Sequence, residues 1–299
     1  MKLAIKLGPA ILVLALTAPA SAGVLLIPDS GFDKVWAFNP FDGSLVNSDF
    51  IPNHVSLSQP INAVDSGRGT VLVTDEVNDA VLEFGYNGAF LGTFADATDG
   101  LDGPFGLTVY NGQVYVTSNV NGRIVRFDSN GANPVIWSTG FGTPRDIVFR
   151  TGDALVSESA GDDIVQLSLA GALQSIWHNS DGVSGIDFPQ QLQMESNGNI
   201  LAAGFTPPFG LYVYASGGTQ LAAYTNLITS PRGIYRLGNG QLLYAGGTRI
   251  MRYDPNTLTE TTVVNQLGAS FRFIEYAEPS DPVSVRSTTW STIKTLYRK

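Results

Sequence analysis

The chain has 299 residues, of which 43% are hydrophobic and only 14% charged, with no Cys and a formal net charge of −9. That balance excludes a disordered chain, and the missing Cys excludes disulfides, thiolate chemistry and Cys-ligated zinc. An acidic surface repels phosphate backbones, so nucleic acid is excluded as an expected partner.

In chain order, residues 1–22 read as a signal peptide. Lys2 and Lys6 form a positive start, 7–18 is an apolar run, and Ala20-Ser21-Ala22 has the small-residue pattern of a cleavage site. Cleavage before Gly23 removes both lysines and leaves a mature chain at −11. The run is too short to span a bilayer comfortably. The expected product is therefore exported, to the periplasm or the outside, with no membrane span after cleavage.

From Val24 onward the sequence repeats itself, and such repetition points to a repeat architecture. Short apolar strands (B) begin at Val24, Val71, Val114, Ala154, Ile200 and Leu242, 40 to 47 residues apart. Each is followed by a second strand (C) with an apolar pair two residues apart: Trp36/Phe38, Leu82/Phe84, Val125/Phe127, Val165/Leu167, Tyr212/Tyr214 and Met251/Tyr253. Side chains two apart share a face of a strand, so these pairs are expected to line one interface between neighbouring sheets. Turn signals follow, as at Asn130-Gly131, and then a further strand (D) such as 134–137. Pro60, Pro104, Pro144, Pro189 and Pro231 each announce an A strand, ten or eleven residues before the next B strand; Pro suits the first residue of a strand.

The ends complement each other. The first copy starts at strand B, and residues 271–276 supply an A-like strand with no B after it. Joined, they make a sixth four-stranded sheet and seal a ring, which removes open sheet edges. The expected fold is all-β: a six-bladed β-propeller over 23–278, with four-stranded antiparallel blades, closed by the C-terminal inner strand joining the N-terminal blade. Residues 279–299 read as a linker and a short amphipathic tail, with Trp290, Ile293 and Tyr297 on one side of a helix.

The pattern Pro104-x-Gly106-apolar, then Gly112-x-Val114-Tyr115-Val116, then Ile124-x-Arg126-Phe127-Asp128, resembles NHL-repeat and related six-bladed propellers. That resemblance implies the architecture and a ligand face formed by the D–A and B–C loops around the channel. It does not choose a function, because one fold hosts lyases, lactonases, receptor modules and scaffolds.

On that face Arg145, Arg232 and Arg272 follow the A-strand openings, as Asn62 does in another copy, and Asp75 and Glu158 end B strands. One reading is a polar pocket, with the arginines holding a carboxylate or phosphate by two-pronged hydrogen bonds and Asp75 or Glu158 orienting them. The other is a ring of salt bridges tying blade to blade. Asp96, Asp99 and Asp102 share a D–A loop and offer the hard oxygen ligands calcium takes, although ordinary turn chemistry accounts for them equally. The two His, His54 and His178, fall in outer positions, so neither a three-His metal site nor a Ser-His-Asp triad is expected. The leading expectation is a monomeric, non-catalytic binding propeller for a small polar ligand, a glycan or an exported protein. A metal-dependent lactonase- or lyase-like enzyme, for which Asn62, Asp146 and Glu158 are the candidate channel set, and a structural surface protein are the alternatives.

Overall fold

The structure is a computed structural model, and residues 23–180 and 185–278 are described. The signal peptide and the tail proposed above lie outside those residues. No helix among the described residues is long and apolar enough to cross a membrane.

Among the described residues, twenty-four strands form six four-stranded antiparallel sheets. The first blade contains β1 (Val24–Asp29), β2 (Lys34–Phe38) and β3 (Leu45–Ile51). The second is β4 (Pro60–Asp65), β5 (Thr70–Asp75), β6 (Ala80–Gly85) and β7 (Phe90–Ala95), and the third β8 (Pro104–Tyr110), β9 (Gln113–Ser118), β10 (Arg123–Asp128) and β11 (Val135–Thr139). The fourth is β12 (Pro144–Phe149), β13 (Asp153–Glu158), β14 (Asp163–Ser168) and β15 (Leu173–Asn179). The fifth runs through β16 (Pro189–Met194), β17 (Ile200–Gly204), β18 (Gly210–Tyr214) and β19 (Gln220–Tyr224), and the sixth through β20 (Gly233–Arg236), β21 (Leu242–Gly246), β22 (Arg249–Asp254) and β23 (Thr259–Asn265). The last strand, β24 (Glu275–Ala277), lies against β1 with Leu25 opposite Tyr276, and Phe271 bridges to Asp29. The first and last strands of the described residues thus share the first blade.

The core sits between blades. Each C-strand pair packs against the blade before it: Leu82 and Phe84 against Leu26 and Ala37, Val125 and Phe127 against Val64 and Leu72, Tyr212 and Tyr214 against Leu155 and Ile164. Burying such side chains contributes about 1.5–3 kcal/mol each, as an upper estimate. The C–D turn locks the same interface. Gly131 has φ +84°, and a Cβ there would stand 2.4 Å from the Phe94 carbonyl oxygen of the preceding blade, so only Gly fits.

A second tie was not foreseen from the sequence. The pairing of β4, β8, β12 and β16 with their B strands slips just after the opening Pro. Such a bulge turns two consecutive side chains from the regular alternation. The N–H freed at the second of these residues goes to a B-strand hydroxyl: Asn62 to Thr74 Oγ1 (3.0 Å), Gly106 to Thr117 Oγ1 (2.7 Å) and Asp146 to Ser157 Oγ (2.9 Å). Each hydroxyl in turn donates to the next blade: Thr74 to the Phe105 carbonyl (2.7 Å), Thr117 to Arg145 (3.0 Å) and Ser157 to Gln190 (2.6 Å). Two other junctions are bridged directly, by Gln191 N–H to the Arg232 carbonyl and Phe273 N–H to the Ile61 carbonyl, each at 3.3 Å.

Candidate functional site

Residues just after several A-strand openings face one mouth of the channel. There Arg145, Arg232, Arg272, Phe105 and Gln190 meet Phe188 and Phe205, from the loops on either side of β16 and β17, around a cavity of about 230 Å3. Aromatic rings hold two of the guanidinium groups in place. Arg145 lies over Phe105 at 4.3 Å and Phe188 at 5.3 Å, and Arg232 over Phe205 at 4.9 Å. Arg232 donates to Ser270 Oγ (3.1 Å) and Arg272 to Ser30 Oγ (2.7 Å). Arg145 Nε is buried without a hydrogen-bond partner.

Among the described residues no ion pair within 4.0 Å joins these arginines to an acid; the four ion pairs lie elsewhere. Their electrostatics reflect that. Burial lowers the pKa of all three, and Arg272, also beside Arg232 and Arg145, falls to about 10. Glu76 is the acid that most offsets this, yet its carboxylate accepts from Gln59 Nε2. All three stay cationic at neutral pH, crowded into one partly desolvated bowl.

The acids read as partners of the arginines stand elsewhere. Asp75 accepts from the N–H groups of Ser58 (2.6 Å), Gln59 (3.2 Å) and Asn78 (3.2 Å) and from Asn78 Nδ2 (3.0 Å). Glu158 accepts from Thr143 N–H (2.5 Å) and Gly161 N–H (2.8 Å). Asp29, at the equivalent end of β1, takes Gly31 and Ser270 N–H and Trp36 Nε1. These carboxylates fasten the D–A loop to the B–C loop of their own blade. Asp75 and Glu158 therefore shape the rim of the bowl without touching its cations. The loop of Asp96, Asp99 and Asp102 is likewise engaged locally. Asp96 and Asp99 cap a short turn of 3-10 helix (Ala97–Asp99) reciprocally, and Asp102 is tied to Ser118 through its backbone. Among the described residues no three His, Asp or Glu are placed to hold a metal. His54 stacks on Phe90 at 4.6 Å, and His178, its pKa lowered by burial, leans on Tyr214 at 4.4 Å.

Beneath the mouth Ile61, Phe105 and Phe273 form a fully buried apolar plug, with Phe105 edge-on to Phe273 at 5.5 Å. Past it the channel changes character. Asn62, Asp146 and Gln191 sit at the second bulge position, with Glu275 beyond them. Gln191 donates to Glu275 Oε1 (2.8 Å) and the Ile274 carbonyl (2.7 Å), and accepts from Ile234 and Ile274 N–H. Asp146 accepts from Ile147 and Leu192 N–H, at 2.9 and 2.8 Å.

No protein-family model matches the sequence, and neither does any curated protein. Solved structures do. A chain of the nidogen/laminin complex superposes with a TM-score of 0.71 at 15% identity, covering 85% of this chain and 98% of that one. The protein is a six-bladed β-propeller. A putative gluconolactonase gives this propeller a TM-score of 0.63 at 16% identity, covering 83% and 87% of the two chains, and a streptogramin B lyase gives 0.58 at 15% over 87% and 89%. At such identities the likeness carries the propeller fold and no activity.

Proposed function

We propose that the protein is an exported binding propeller that takes a small anionic ligand, a carboxylate or phosphate, in the bowl of Arg145, Arg232 and Arg272. The observation that carries this reading is the convergence of three partly buried guanidinium groups on one cavity with, among the described residues, no ion-pairing acid within 4.0 Å. Buried charge without a partner is costly, and an anion of the right size removes the cost. Stacking on Phe105, Phe188 and Phe205 positions the guanidinium groups of Arg145 and Arg232 and leaves N–H groups for planar, two-pronged hydrogen bonds. A preset site loses little entropy on binding. Residues 1–22 supply the export signal; N-terminal sequencing of protein recovered outside the cytoplasm, beginning at Gly23, checks that part.

The binding test is a thermal-shift and calorimetric series with citrate, phosphate, sulfate and glucuronate at constant ionic strength. At least one is expected to bind saturably, with affinity falling tenfold or more in Arg272→Ala and in Arg145→Ala. Arg145→Lys is not expected to restore it, because an ammonium lacks the planar fork. Affinity that is unchanged in both alanine variants contradicts the reading.

A further inference from the structure

The opposite end of the channel is the reverse of the mouth in charge and in chemistry. A cavity of about 320 Å3 is lined by the carboxyl groups of Asp146 and Glu275, by Gln193, and by Leu107, Tyr235 and Tyr276. The Asn62 amide lies against Glu275. Asn62 is fully buried, its Nδ2 is used by the Leu107 carbonyl at 3.2 Å, and its Oδ1 has no hydrogen-bond partner. Glu275 takes Gln191 Nε2 on one oxygen and has the Asn62 amide beside it as a second donor. Each Asp146 oxygen takes one backbone N–H and keeps a lone pair. No Lys, Arg or His forms an ion pair with either acid among the described residues. Two carboxyl groups therefore line the cavity with the Asn62 amide oxygen buried beside them, and among the described residues no cation pairs with them.

We propose that this end of the channel, where Asp146, Glu275 and Asn62 converge, binds a primary ammonium group carried on a short apolar or aromatic chain. An ammonium offers three N–H donors and no acceptor, which matches two carboxylates and one orphaned amide oxygen. Leu107, Tyr235 and Tyr276 offer an apolar and aromatic wall for the chain behind it, and a tyrosine face attracts a cation. A metal ion suits the place less well, since no three carboxylate or imidazole groups gather there.

The titratable groups facing the site are Asp146 on β12, Glu275 and Tyr276 on β24 and Tyr235 on β20; β8 and β16 contribute Thr108 and Gln193, and Asn62 of β4 lies beside Glu275. Burial raises the carboxyl of Asp146 to about 7 and, together with the charge of Asp146, pushes Glu275 well above its ordinary range. Protons therefore compete with a bound ammonium for these carboxyl groups, so binding strengthens as pH rises from 5 to 8.

The test uses the full chain and propylammonium as probe, by calorimetry and thermal shift at constant ionic strength. Saturable binding is expected at pH 8, with at least tenfold weaker apparent affinity at pH 5. Tetramethylammonium, which has the charge but no N–H, is expected to bind at least tenfold more weakly. Glu275→Gln at pH 8 is expected to lose tenfold or more while keeping the anion response of the arginine bowl, which shows that it is folded; Asp146→Asn provides an independent second variant. The proposal is overturned by any of four results: no saturable binding of propylammonium at pH 8, equal binding of tetramethylammonium, binding unchanged in both variants, or tighter binding of calcium than of propylammonium.

Discussion

Arg145 and Asp146 are neighbours in sequence but serve opposite ends of the channel, because the bulge at the start of β12 breaks the alternation of the strand. Burial sets the sign of the Asp146 contribution to stability. Its carboxyl titrates near 3.8 when unfolded and about 7 when folded. Between those values the folded state holds more protons than the unfolded chain, so stability falls as pH rises through that window and levels off above it. Asp146→Asn removes this dependence, although it sacrifices one backbone hydrogen bond. The gap between the melting temperatures of parent and variant is expected to shift in the variant's favour from pH 5 to pH 8; a gap that shifts the other way contradicts the assigned burial. Arg145 and Arg232 were legible in the sequence because a Pro opens the A strand just before each, and Arg272 because it sits in the A-like segment that closes the ring. Glu275 was passed over, since the closing strand has no Pro to set its register. Phe188 was missed as well, because a loop aromatic carries no spacing signal, and Phe205, at the end of its B strand, was given no role beside an arginine. The pairing of Asp75 and Glu158 with arginines followed from charge and face alone, and could not register the stronger claim of nearby backbone N–H groups on those carboxylates.

At the scale of the strand, the hydroxyls of Thr74, Thr117 and Ser157 do what salt bridges were weighed for: they tie blade to blade. In the sequence they look like ordinary β-formers near the ends of B strands, and nothing local reveals a partner 28 to 33 residues away. Thr117→Val keeps the shape and leaves the Gly106 N–H and the Arg145 carbonyl short of a partner. The expected cost is about 1–3 kcal/mol, read as a lower denaturant midpoint with unchanged slope; a change within error contradicts the relay. Thr117→Ser is expected to recover most of it. Asp75→Ala frees four donors of the loops before β4 and after β5. Amide exchange in those loops is expected to quicken, with anion affinity weakened less than in Arg145→Ala. The C-strand pairs, by contrast, were readable in full, because a period of two with large apolar side chains can only mean a buried face.

For the whole molecule, closure makes the channel and both of its ends. Phe271 bridges Asp29, Arg272 reaches Ser30, and Glu275 meets Gln191 across the ring, so one short segment completes the seal, the bowl and the acidic cavity. Ending the chain at residue 268 opens the first blade. The expected result is loss of cooperative unfolding together with anion binding; a truncated chain that unfolds as sharply as its parent contradicts the ring. The repeat count and the complementary ends made this architecture visible from the sequence, whereas the polarity of the channel emerged only once the bulges were seen. The central claim, that three guanidinium groups await an anion from outside the chain, is tested most directly by anomalous diffraction from crystals grown with selenate. The account predicts a selenium peak within hydrogen-bond reach of at least two of Arg145, Arg232 and Arg272. A bowl filled instead by the Glu76 carboxylate, with selenate elsewhere or absent, would contradict it.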